Sequence, residues 1–138
     1  LFLIYSNAPS ESGKIHNRVG YRFKKGEKLV VEGMKKLARL TDQALIALKK
    51  KDFDQRAAFF NQNFNIRRKI YGDQVIGNEN LKMIALPRQM GLCSKFSGSG
   101  GAIVGIWQKK SEFDRLKRAC QKARFKIKKI EVWLRYED

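Results

Sequence analysis

Residues that build metal and nucleophile chemistry are scarce in this chain, which has one histidine, His16, and two cysteines, Cys93 and Cys120, among 138 residues. A single histidine excludes multi-histidine metal centres. Cys93 and Cys120 stand at no CxxC or zinc spacing, so they read as two buried thiols in a reducing compartment. No run of about 18 apolar residues is present, which excludes a helical membrane span. The apolar start, residues 1–4, is too short for the hydrophobic region of a signal peptide. These features place the chain in the cytoplasm or an organelle. Acidic residues are also few, 13 against 30 Lys and Arg.

Apolar residues make up 43% of the chain and aromatics 11%, so it folds rather than staying disordered. Its length suits one domain and is short for a complete two-site enzyme. Residues 1–5 read as a strand already under way at Leu1, which leads us to expect further polypeptide upstream. The net charge of +17 has three physical readings: a nucleic-acid surface, attraction of anionic ligands, or lysine-rich usage. Residues 109–129 hold ten Lys and Arg against Glu112 and Asp114. Phe113 and Phe125 fall at core positions there and form no stacking platform. The segment therefore reads as a solvated basic face with weak, non-specific polyanion binding.

Periodicity gives the elements. Residues 1–6 form a strand and 7–13 a polar loop, and a helix starts near Lys14, with a break at 24–26. Residues 27–51 place Val30, Met34, Leu37, Thr41, Ala44, Leu45 and Leu48 on one face of a long helix, with Lys35 and Lys36 off it. A second helix covers 52–70, capped by Asp54 and closed by Gly72, with Ala57, Phe60 and Phe64 inward. Residues 78–90 form a third, with Leu81, Ile84 and Ala85 on one side and a kink or early stop at Pro87. Strands follow at 92–96 and 102–107. Ser111 caps a helix that buries Phe113, Leu116, Cys120 and Ala123. The last strand alternates Ile130, Val132, Leu134 and Tyr136. This order predicts an α+β fold, a four-stranded antiparallel sheet with helices on one face, and no internal domain boundary.

The segment with the sharpest chemistry is Lys95-Phe96-Ser97-Gly98-Ser99-Gly100-Gly101-Ala102, a glycine loop between two strands. It fits neither GxxxxGK[ST] nor GxGxxG, since Ile103 stands at the third glycine position. The residues alone leave two readings open: a hairpin turn, or successive amides forming an anion nest.

Residues 91–105 (GLCSKFSGSGGAIVG) resemble the third glycine motif of the GHMP kinases, with Ala102 where many members keep another glycine. Residues 61–68 (NQNFNIRR) with Tyr71-Gly72 are similar to the family's acceptor-side helix. Residues 3–18 (LIYSNAPSESGKIHNR) are similar to the opening of its C-terminal domain. Among members, the glucuronic acid and galactose kinases are the most alike. The resemblance implies a GHMP C-terminal domain with a ferredoxin-like core, within a kinase that phosphorylates a sugar at its anomeric hydroxyl. It places Ser97, Gly98, Ser99, Gly100 and Gly101 against the nucleotide phosphates, with Lys95 alongside. It makes Lys14, His16, Arg18, Asn61, Asn63 and Arg67 candidates for the acceptor.

The same resemblance implies ATP and Mg²⁺ as cofactors, held mainly by an N-terminal domain whose Gly-Leu-Gly-Ser-Ser-type loop and catalytic Asp and Lys have no match here. The 138 residues alone are therefore expected to be inactive. Asp52, Asp54 and Asp73 read as caps and turn residues. A competing reading makes the chain a kinase-derived, non-catalytic basic subunit of a large assembly, one containing RNA. The charge favours that reading and the intact glycine loop disfavours it.

Overall fold

The computed structural model describes residues 1–7 and 12–131, with side chains throughout except at 12–17. The elements in chain order are β1 (Phe2–Tyr5), α1 (Ser12–Lys24), α2 (Lys28–Lys49), α3 (Phe53–Tyr71), α4 (Asp73–Ile76), α5 (Asn78–Gln89), β2 (Lys95–Phe96), β3 (Ala102–Gly105), α6 (Lys110–Lys122) and β4 (Lys126–Lys129). The four strands form one antiparallel sheet in the order β2-β3-β1-β4. The expected α+β architecture is the one observed.

Strand alternation decides which side is core. Ile4 pairs with Ile103 on one side and Ile127 on the other, and Phe96 pairs with Ile103. Together with Phe2 these residues form one face of the sheet. Phe64, Met83, Ile84, Leu116 and Cys120 from α3, α5 and α6 pack against that face. Phe64 meets Phe96 edge-on, with ring centroids 5.2 Å apart. A glycine is required at 105, because a Cβ there would lie 2.1 Å from the Phe2 ring and 2.2 Å from the Cys93 carbonyl oxygen.

A second cluster of Val19, Val30 and Ile70 joins α1, α2 and α3. Arg22 pairs with Glu27 and donates to the Ile70 carbonyl at 2.6 Å, which ties the α1–α2 turn to the end of α3. Gly33 lets α2 and α3 approach closely: a Cβ there would meet the Ile70 side chain at 2.6 Å.

Several details differ from the sequence reading. The buried residues of α2 are Val30, Gly33, Leu40 and Ala47, with Met34, Leu37 and Ala44 half-buried. Thr41, Leu45 and Leu48 are exposed, and the Thr41 hydroxyl donates to the Leu37 carbonyl. The small residues Gly33 and Ala47 join Val30 and Leu40 on the buried stripe, and at Gly33 the Ile70 side chain of α3 packs against the backbone. Asp52 caps α3 in place of Asp54, accepting from the Gln55 amide at 3.0 Å. Pro87 stops nothing. It lies buried in the last turn of α5, where its missing N–H removes only one helical bond.

Residues 92–94 are irregular, so β2 begins at Lys95, and β3 ends at Gly105. Lys109 precedes α6 as its N-cap, and Ser111 falls inside the first turn. The Glu112 carboxylate accepts from the Gln108 and Lys109 amides. Ala123 is exposed just past the helix. The last strand is Lys126–Lys129, shifted towards the N-terminus because β1 offers only four residues for pairing. Ile130 extends the ladder by one bond, from its amide to the Leu1 carbonyl. Val132, Leu134 and Tyr136 lie outside the described residues.

Candidate functional site

The glycine loop joins β2 to β3 and is fastened at both ends. The Ser97 amide donates to the Ala102 carbonyl at 3.1 Å, closing the base of the turn. The Gly101 amide donates to Asn80 Oδ1 at 2.9 Å, and the Gly101 carbonyl accepts from the Ser6 amide at 3.2 Å. Asn80 is itself held, since its Nδ2 donates to the Ile76 carbonyl at 2.8 Å. Gly100 has φ +150° and Gly101 φ +75°, a path side chains rarely follow. The amides of Gly98, Ser99 and Gly100 have no acceptor among the described residues. Three successive unused N–H groups are the raw material of an anion nest.

Helix α3 lies alongside this loop. Arg67 Nη1 donates to the Gly98 carbonyl at 2.7 Å, which links the acceptor-side helix directly to the loop. Its Nε is buried without an acceptor. One turn earlier the Asn63 Oδ1 is buried without a donor. Among the described residues these are the only two such side-chain atoms. A buried polar atom left unpaired costs about 1–3 kcal/mol, and these two, an acceptor and a donor, stand four residues apart on one face of α3.

Lys95 adds a second cation beside Arg67. Burial, and then the Arg67 charge, push the Lys95 ammonium below its usual pKa. Its Nζ donates to the Phe96 carbonyl at 2.8 Å and stands 5.7 Å from the Phe60 ring centroid. No acidic side chain takes part in this group of contacts, and two neighbouring cations in partly desolvated surroundings favour an anion.

Asn61 does different work. Its Oδ1 accepts from the Ser94 amide at 3.1 Å, so it fixes the approach to β2. Arg88 completes that support, donating to Asn65 Oδ1, to the Asn61 and Ser94 carbonyls and to Ser94 Oγ, with its guanidinium over the Phe64 ring. Arg18 is exposed on α1 and has no hydrogen-bond partner among the described residues. Lys14 and His16 lie on the same helix, with side chains outside the described residues. Asp73 forms a two-bond ion pair with Arg68.

Sequence reasoning missed Asn80 and Arg88. Both sit in a helix assigned only by its apolar residues, and their partners, mostly backbone groups, are ones that no sequence spacing identifies.

The fold is one shared with solved structures that include a kinase. The chain superposes on a protein from Listeria innocua with TM-score 0.84, at 17% identity, over 94% of this chain and 38% of that one. It superposes on L. major mevalonate kinase, solved with R-mevalonate, with TM-score 0.77, at 19% identity, over 88% of this chain and 37% of that one. By sequence the chain is a homologue of glucuronokinases. It is 36% identical over 133 residues to Glucuronokinase 1 of Arabidopsis thaliana, and 35% identical over 133 residues to probable glucuronokinase 2 of the same plant. Each alignment covers 96% of this chain, but only 37% and 36% of those relatives, so the chain spans little more than a third of their length. No protein-family profile matches it.

Proposed function

We propose that this chain forms the C-terminal part of an ATP-dependent kinase that phosphorylates a sugar acid of the glucuronic type at its anomeric hydroxyl. In this reading the unused amides of Gly98, Ser99 and Gly100, flanked by Ser97 and Gly101, receive a phosphate group of ATP. The face of α3 bearing Asn63 and Arg67 receives the acceptor. The observation that carries the proposal is the pair of buried, unpartnered atoms beside this loop. Asn63 Oδ1 needs a donor, which a sugar hydroxyl supplies. Arg67 Nε needs an acceptor, which a carboxylate supplies with charge-assisted geometry. A neutral galactose-type sugar satisfies the first atom but leaves the Arg67–Lys95 cations without a counterion.

ATP supplies the phosphoryl group, and catalysis of its transfer is mostly positioning and charge stabilisation. The residues present fit the anion half of that task. In this reading Mg²⁺ and the catalytic groups belong to an N-terminal kinase domain, as the family resemblance implies. Arg67, bonded to the Gly98 carbonyl while facing the acceptor, would hold loop and acceptor in one frame. Lys14, His16 and Arg18 on α1 remain candidates for the acceptor's outer edge. No helix among the described residues is long and apolar enough to cross a membrane.

The test uses the complete kinase polypeptide that carries this domain. Arg67→Gln should raise KM for glucuronic acid at least tenfold, the scale of one lost charge-assisted bond of about 1.5–3 kcal/mol, and raise KM for ATP by less, through the lost bond to the Gly98 carbonyl. Gly100→Val should lower kcat and cost about 1–3 kcal/mol of stability without unfolding the protein, because Val resists positive φ and its Cβ would sit 3.3 Å from Asn80 Nδ2. Full turnover by a folded Gly100→Val protein would remove the loop from the active site and favour the non-catalytic subunit instead.

A further inference from the structure

The two long helices carry a feature the kinase reading does not use. Between α2 and α3 lies an open groove of about 450 Å³ whose floor is Leu29, Gly33, Ile66 and Ile70. Lys28, Lys36 and Lys69 stand along its rim. A second hollow of about 280 Å³ shares Lys36 and Ile66 and adds Arg39, Gln43 and Gln62. The joined groove follows α2 from Lys28 to Gln43, roughly 22 Å at the helical rise of about 1.5 Å per residue.

The rim charges lack counterions. Glu32, the one carboxylate lining the groove, pairs with Lys35 at 3.2 Å. Lys28, Lys36, Arg39 and Lys69 form no ion pair among the described residues. Among the described residues, eight large hydrophobic ones are exposed, and all but Leu1 lie between residues 21 and 53. Ile46, 53% exposed, follows Gln43 at helical spacing and continues the line.

We propose that the α2–α3 groove is a docking site for an acidic amphipathic helix of a partner protein. An apolar floor below a cationic rim fits a helix with apolar anchors at i, i+3, i+4 and i+7 and carboxylates flanking them. The length admits about four helical turns, and so small an interface gives a transient, micromolar complex. A second copy of this chain would bring like charges together.

The probe is a fluorescein-labelled 15-residue peptide with Leu at the anchor positions and Glu elsewhere, titrated with the complete polypeptide that carries this domain and followed by anisotropy. One-to-one binding with Kd on the order of 10 μM at low salt is expected. Lys36→Glu with Lys69→Glu should weaken it at least tenfold. Lys117→Glu with Lys128→Glu, an equal charge change on α6 and β4, should weaken it less than threefold. All four lysines are exposed, and unchanged melting temperatures confirm that both variants fold. Equal losses in the two double variants would reduce the effect to bulk charge and overturn the proposal. So would absence of binding at millimolar peptide, or a dimer in sedimentation that the groove variant dissociates. Binding of the protein to anionic lipid vesicles that is lost in the groove variant would assign the face to a membrane surface and overturn the proposal.

Discussion

Cys120 is enclosed by core residues, and burial pushes its thiol up to about 11; burial raises Cys93 as well. The thiolate is the reactive form, so at pH 8 neither side chain should react with a disulfide reagent in the folded protein. Both should react within minutes in denaturant, and rapid titration of one thiol without denaturant would contradict the burial. Asn80 is the second residue whose role can be isolated. Asn80→Leu removes the acceptor for the Gly101 amide and should speed its hydrogen exchange about tenfold, equivalent to one hydrogen bond of roughly 1 kcal/mol. Amides in the core strands should be unaffected. Exchange at Gly101 unchanged in the variant would mean that the loop is held without Asn80.

At the scale of elements, α6 shows how a cap replaces a side chain that looked better placed. Ser111 follows the pattern of an N-cap, yet the Glu112 carboxylate bonds the two amides before the helix. The Lys109 and Gln108 amides hold its pKa below the usual carboxylate range. A carboxylate depressed on folding stabilises fully above its unfolded value of about 4.3. That contribution disappears as pH falls through the lower folded value. Glu112→Gln should therefore lower the melting temperature near neutrality, with the difference from wild type shrinking as pH falls below the ordinary glutamate range. A difference that stays constant as the carboxylate is protonated would assign the effect to packing. In α2, Gly33→Leu forces bulk against Ile70 and should cost about 1–3 kcal/mol in denaturant midpoint analysis. An unchanged midpoint would show that the α2–α3 seam can open freely.

The whole molecule is dominated by its charge. All ten Lys and Arg of residues 109–129 are exposed, while Phe113 and Phe125 pack against the core. Helix α6 and strand β4 thus present cations without exposed rings, which supports binding by counterion release but not by base stacking. Retention on heparin should fall steeply between roughly 50 and 200 mM salt. Changing the base composition of a single-stranded oligonucleotide should alter affinity less than twofold. Sequence preference, or salt-independent retention, would refute a purely electrostatic surface.

The sequence by itself determined the succession of strands and helices along the chain, the existence of the long helices, the buried cysteines and the glycine loop, while the sheet order came from the structure. Those signals are local: period-two and period-three-to-four apolar spacing, and a run of residues with no Cβ. The family resemblance was also carried by contiguous motifs, and the homology to glucuronokinases agrees with it. Only the tertiary structure decided which stripe of α2 is buried, because small residues at the seam carry little hydrophobic signal and gain meaning from the helix opposite. It alone distinguished Asn61, whose carboxamide oxygen bonds the Ser94 backbone, from Asn63, whose oxygen is left unpaired two residues later on the same helix. The physical reason is that a polar side chain's role depends on whether its partner is the protein's own backbone, and those partners lie tens of residues away in the chain.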